Sequence, residues 1–181
     1  DKLPKDLNTE QILIRSSNIG AVRIAQKIGV EKYKKFLNSL ELLNKINFDL
    51  EEVGTPLSFK WGKCKLATTS YGHGITTTPL QLIKAYAILG NGGYKIKPFI
   101  LKKDKKLIQK GEKIISTSTS NKINLILRKV VNTKEGTAKF ANIEGYEIGG
   151  KTGTALKYNS SAKLNTFVSL FPASKPKYVL L

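Results

Sequence analysis

Apolar residues recur at helical spacing in four stretches of the chain: Ala21/Ile24/Ala25/Ile28, Tyr33/Phe36/Leu37/Leu40, Leu82/Ala85/Tyr86/Leu89 and Ile123/Ile126/Leu127/Val130. Each stripe predicts a helix with one buried face. The punctuation agrees with the stripes. Gly29 follows the first, Thr78-Pro79 offers an N-cap and N1 to the third, and Gly90-Asn91-Gly92-Gly93 stops it. The hydroxyl-rich run Ser116 to Ser120 reads as the start of the fourth helix.

A different pattern fills the second half. Tyr94, Ile96 and Pro98 to Leu101 read as a strand, and Leu107-Ile108 as its return, with a basic tip between them. Tyr146-Glu147-Ile148 runs towards Gly149-Gly150-Lys151-Thr152-Gly153-Thr154-Ala155. Thr166 to Phe171 and Tyr178 to Leu181 are two further strands, joined by a turn at Pro172-Ala173-Ser174-Lys175-Pro176. Short connections favour antiparallel pairing. The predicted architecture is α+β: an antiparallel sheet covered by helices, in one domain over 1–181 that is helical to about 92 and strand-rich from about 93.

Composition narrows the class. The 181 residues are 40% apolar, enough for one core. The chain has no methionine, and it closes on a run that reads as a strand in mid-course; both features predict a segment of a longer protein, incomplete at both ends. No apolar run is long enough to span a bilayer, so an anchor is expected elsewhere in that protein. A single cysteine, Cys64, excludes an internal disulfide and reads as a small packing residue. The single histidine, His73, lies between two glycines and reads as a turn residue; no His-based triad, metal site or cofactor is expected. The net charge is +18, yet 28 of the 31 basic residues are lysine, dispersed along the chain. Nucleic-acid sites favour clustered arginine and aromatics, so the charge fits a solvated basic surface near an anionic membrane or wall.

Two short motifs carry candidate chemistry. Lys151-Thr152-Gly153-Thr154 sets an ammonium, two hydroxyls and a side-chain-free backbone within four residues, suited to a carboxylate and a developing oxyanion. On a strand, period-two geometry sends Lys151 and Gly153 to one face and Thr152 and Thr154 to the other unless the strand twists. Gly153 would admit a ligand close to the strand edge. Ser16-Ser17-Asn18 offers a hydroxyl and an amide in S-x-N order before the first helical stripe, where the same residue types also suit a plain N-cap. Two S-x-x-K matches, at Ser160–Lys163 and Ser174–Lys177, are about what chance supplies in so lysine-rich a chain. Both follow Lys-Thr-Gly, and Pro176 opposes the helical turn that a Ser-Lys pair needs.

Taken in order, Ser16 to Gly20, Ser70-Tyr71-Gly72-His73-Gly74-Ile75, Thr77 to Leu82 with Ala85-Tyr86-Ala87, and Asn91-Gly92-Gly93 resemble successive landmarks of penicillin-binding transpeptidase domains. Gly136-Thr137-Ala138, Gly145-Tyr146, Gly149 to Ala155 and Phe167 to Tyr178 continue the series. The resemblance covers nearly the whole chain and is strongest to class B monofunctional D,D-transpeptidases of the cell-division branch, whose S-x-x-K nucleophile precedes S-x-N. It implies that Ser16 relays a proton, Asn18 binds the acyl-side amide and Lys151 adds positive potential. Thr152 and Thr154 would take the terminal carboxylate, with Gly153 between them, and the Thr154 N–H would form half of an oxyanion hole. The implied substrates are peptidoglycan stem peptides, with β-lactam antibiotics as covalent inhibitors. Implied too are a lipid-linked glycan polymerase and division proteins as partners, the periplasmic side of the inner membrane as location, and no nucleic acid. This segment, without the nucleophilic serine, is expected to be inactive by itself. A non-catalytic penicillin-recognising receptor and a basic module for anionic partners are the alternative readings.

Overall fold

The computed structural model describes residues 4, 6–50, 53–102, 110–156 and 161–181. Among the described residues six α-helices come in chain order: α1 (Thr9–Ile14), α2 (Asn18–Ile28), α3 (Val30–Ser39), α4 (Lys63–Thr69), α5 (Pro79–Gly90) and α6 (Thr117–Asn132). A 3-10 turn at Lys139–Ala141 leads to β1 (Gly149–Leu156), β2 (Lys163–Phe171) and β3 (Tyr178–Leu180). Among the described residues the strands form one antiparallel sheet in the order β1-β2-β3. The fold is α+β, an antiparallel sheet with helices packed on it.

The helix signals act as the sequence predicts. Thr78 accepts from the Gln81 N–H while the Gln81 side chain reaches back to the Thr78 N–H, with Pro79 at N1. Ser116 caps α6, and Gly29 closes α2 at φ 82°. Leu127 and Ile123 of α6, Tyr86 of α5, Leu170 of β2 and Val179 of β3 form one apolar cluster, so α5 and α6 lie against the sheet. A second joins Ile14 of α1 to Val130, Val131 and Ala138, and this fixes α1 on α6. Fully buried side chains such as Leu170 and Val130 each contribute about 1.5–3 kcal/mol of transfer free energy.

Several expectations are corrected. The buried set of α5 is Gln81, Lys84, Ala85, Ile88 and Gly90, rotated from the predicted Leu82/Ala85/Tyr86/Leu89 stripe. This helix is apolar around most of its surface, so periodicity leaves its orientation open. Two polar side chains on its inner face decide it: Gln81 Nε2 donates to the Glu41 and Asn44 carbonyls at 3.1 and 2.7 Å, and Lys84 pairs with the Glu41 carboxylate. Ile28 and Phe36, assigned to buried stripes, are exposed. The hairpin from Tyr94 reduces, among the described residues, to an isolated bridge between Tyr94 and Lys113; Leu107-Ile108 and most of the basic tip lie outside them. Tyr146 to Ile148 stay irregular, and the strand begins at Gly149. Cys64 is exposed rather than packed. Helices α1 and α4, of six and seven residues, were too short to leave a periodic signature.

Candidate active site

Ser16 sits in the sharp turn between α1 and α2, at φ 55°, a left-handed conformation that costs a non-glycine residue roughly 1–2 kcal/mol. Local hydrogen bonds hold it there. The Ser16 N–H donates to the Leu13 carbonyl at 3.2 Å and the Ser17 N–H to the Ile12 carbonyl at 2.9 Å. The N-cap task falls to Ser17, whose Oγ accepts from the Gly20 N–H at 3.2 Å. A Cβ on Gly20 would stand 2.6 Å from the Ile12 side chain, so glycine lets α2 turn tightly against α1. The capping and site readings of Ser16-Ser17-Asn18 are therefore divided among its residues. Ser17 is buried, while Ser16 and Asn18 face solvent.

On the other side stands β1, paired along its length with β2 and bearing no partner on its other edge among the described residues. The cleft lies off that edge, about 1020 Å³ in volume, and Lys151, Thr152, Gly153, Thr154, Ser16 and Asn18 all line it. An edge strand beside a cleft presents both of its alternating sets of side chains, and the separation expected from period-two geometry does not keep Lys151 from Thr152 and Thr154. Lys151 Nζ donates to Ser16 Oγ at 2.7 Å and to the Thr152 carbonyl at 3.0 Å. Thr152 Oγ1 donates to Thr137 Oγ1 at 2.9 Å, and Thr154 Oγ1 to Asn165 Oδ1 at 3.1 Å. Gly153 has a structural reason beyond ligand approach: a Cβ would come within 2.7 Å of the Thr166 hydroxyl on β2.

The electrostatics of the cleft favour an anion. Lys151 is half-buried, and desolvation lowers its pKa from the ordinary 10.5. None of the described residues lining the cleft is a carboxylate. Because an ammonium can only donate, Ser16 Oγ accepts from Lys151 and its own O–H is left to donate into the cleft. Tyr86, in the wall, is raised to about 12 by burial and stays neutral.

Other residues named from sequence lie elsewhere or add little. His73 is exposed in the Tyr71–Gly74 turn at the cleft margin, its ring stacked on Tyr71 with centroids 6.4 Å apart. Ser174 hydrogen-bonds the Glu147 carboxylate in the turn before β3, and Ser160 lies outside the described residues. Thr137, a landmark without a role in the sequence, and Asn165, which no motif marks, both line the cleft. A glycine-hydroxyl pair after a long helix was the one signal for Thr137.

Comparison with known proteins agrees with this geometry. The penicillin binding protein transpeptidase domain matches residues 1–181. The chain is 33% identical to stage V sporulation protein D of Bacillus subtilis, over 94% of this chain and 29% of that protein. It is 32% identical to the probable peptidoglycan D,D-transpeptidase FtsI of Caulobacter vibrioides, over 94% of this chain and 30% of that one. Among solved structures, the TP domain of Burkholderia pseudomallei penicillin-binding protein 3 superposes with a TM-score of 0.89 at 26% identity, over 96% of this chain and 54% of that one. Mycobacterium tuberculosis penicillin-binding protein 3 complexed with ampicillin gives 0.82 at 26% identity, over 95% and 43%. The chain thus spans under a third of the length of the two curated relatives. With the motifs, the fold and the full-length match in agreement, this chain belongs to the penicillin-binding protein transpeptidase domain family.

Proposed function

We propose that this chain supplies the S-x-N and Lys-Thr-Gly side of a peptidoglycan D,D-transpeptidase site, the nucleophilic serine of S-x-x-K coming from another part of the parent protein. The observation that carries the reading is the 2.7 Å bond from Lys151 to Ser16 at the wall of a cleft that Asn18, Thr152 and Thr154 share. It joins two motifs 135 residues apart in sequence, one on a turn and one on a strand.

The reaction is acyl transfer. The serine oxygen of the parent protein attacks the penultimate D-Ala carbonyl of a stem peptide and its proton leaves to a base. The C–N bond to the terminal D-Ala breaks, and that amine departs with a proton. An amine of a second stem then attacks the ester, forms the new amide and returns the serine. In this chain, Ser16 passes a proton to the leaving nitrogen through the O–H that Lys151 leaves free. Asn18 orients the acyl-side amide. Thr152 and Thr154 bind the carboxylate, with the positive potential of Lys151 behind them. The Thr154 N–H donates to the oxyanion, a donor type worth about 3 kcal/mol in the barrier. The parent is a membrane-anchored, periplasmic enzyme of the division machinery, working beside a lipid-linked glycan polymerase. The name of the Caulobacter relative supports the division branch. Among the described residues no helix is long and apolar enough to cross a membrane.

The test is the intact mass of the parent protein before and after benzylpenicillin. The expected result is one adduct on a serine that precedes Asp1. A folded parent without an adduct would overturn the proposal. An adduct with no transfer of stem peptide to an amine would instead support a penicillin-recognising receptor.

A further inference from the structure

We propose that Thr137 is a positioning residue for carboxylate recognition, a role that rests on the transpeptidase reading above. It lies in the connection from α6 to the 3-10 turn, and its hydroxyl reaches the cleft wall to meet Thr152 at 2.9 Å. That connection is held from three sides. A Cβ on Gly136 would stand 2.1 Å from the Val130 carbonyl, so only glycine allows the loop to lie this close to α6. The Ala138 N–H donates to the same Val130 carbonyl at 3.2 Å. The Thr137 N–H points to the Ile14 carbonyl of α1 at 3.4 Å, and Glu135 pairs with Arg15, next to Ser16, at 2.7 Å. The loop therefore touches both halves of the site: the Ser16 turn through Arg15 and Ile14, and β1 through Thr152.

The chemistry follows from the two hydroxyls. Without a ligand, Thr152 donates to Thr137. A bound carboxylate only accepts, so Thr152 must turn its proton towards it. Rotation of both O–H bonds, with a small turn of the Thr137 side chain about χ1, makes Thr137 the donor to Thr152. Thr152 then remains fully hydrogen-bonded while it donates to the ligand, and the Thr137 dipole polarises that donation. Replacing Thr137 by valine keeps the volume and removes the donor.

The experiment compares acylation of the parent protein by benzylpenicillin and by its methyl ester, which lacks the anionic carboxylate. Thr137→Val should slow acylation by the acid about 5- to 10-fold, as for loss of one hydrogen bond between neutral groups, and leave the ester rate unchanged. Thr137→Ser, which restores the hydroxyl, should recover the rate with the acid. Thermal unfolding of each variant establishes that it is folded. Equal slowing of acid and ester would mark Thr137 as structural and overturn the proposal, as would an unchanged acid rate. A wild-type parent that neither compound acylates would remove the transpeptidase reading itself, and this result is visible before any variant is made.

Discussion

Two lysines of this molecule occupy parallel settings and differ in one respect. Lys84 on α5 and Lys151 on β1 are each met by a residue from a distant turn, Glu41 and Ser16. Those two are the non-glycine residues with positive φ among the described residues, at 58° and 55°. In both places strained backbone presents a side chain to a lysine from another element. Glu41 brings a carboxylate, and the charge of Lys84, whose side chain is 5% exposed, is neutralised within the fold. Ser16 brings a hydroxyl, so the charge of Lys151 is solvated but not balanced, in a cleft lined by no carboxylate among the described residues. A closed ion pair has no valence left for a ligand. An ammonium held by a hydroxyl and a carbonyl keeps its field available to an incoming anion.

Breaking each lysine's setting should separate stability from activity. The largest effect belongs to Lys151→Met in the parent protein. Acylation by benzylpenicillin should fall by roughly a thousand-fold, as when a site loses preorganised charge stabilisation, while the temperature of unfolding does not fall. Removal of a desolvated, unbalanced cation costs the fold nothing. A variant that lost stability along with activity would place Lys151 with Lys84.

The converse change is Glu41→Gln, which strands Lys84 without its counter-charge. Urea unfolding should show a loss of about 2 kcal/mol, at the low end for a broken buried pair because the Glu41 side chain is 32% exposed. Acylation per folded molecule should be unchanged. Loss of acylation at equal stability would mean that the 41–46 turn communicates with the cleft.

The smallest effect lies in pH. Desolvation lowers the pKa of Lys151, so its cation is lost at a pH below the ordinary 10.5. The acylation rate should therefore show an alkaline limb below 10.5. Stability moves the other way. Between the folded and unfolded pKa the unfolded chain binds more protons at this residue, so stability rises with pH across that window. Comparing the unfolding of wild type and Lys151→Met at successive alkaline pH values checks the sign: relative to the variant, the wild type should gain stability across that window.

Much of this was legible in the sequence because it is local. Thr78-Pro79 with Gln81 encodes a helix start within four residues, and Ser116 does the same for α6. The β-branched and aromatic run Thr166 to Phe171 gave β2, and its short turn to Tyr178 gave the antiparallel pairing with β3. The ordered landmarks and Lys-Thr-Gly gave the family. Less local features misled. The stripe of α5 was misassigned because its orientation depends on Glu41 and Asn44, about forty residues away in the chain. The strand from Tyr94 reduces to one bridge among the described residues, to Lys113, since a β pattern needs a partner of matching register.

The amino-acid order by itself thus determined the longer helices α2, α3, α5 and α6, the capped starts of α5 and α6, the strands β2 and β3, and which side chains can donate, accept or carry charge. Those properties reside in a few neighbouring residues and their covalent chemistry. Only the tertiary structure decided that Ser17 and not Ser16 caps α2, that Lys151 stands unbalanced beside Ser16, and that Thr137 joins the site. Each of these depends on contacts between segments far apart in the chain, where burial removes water and fixes which partner a polar group can reach.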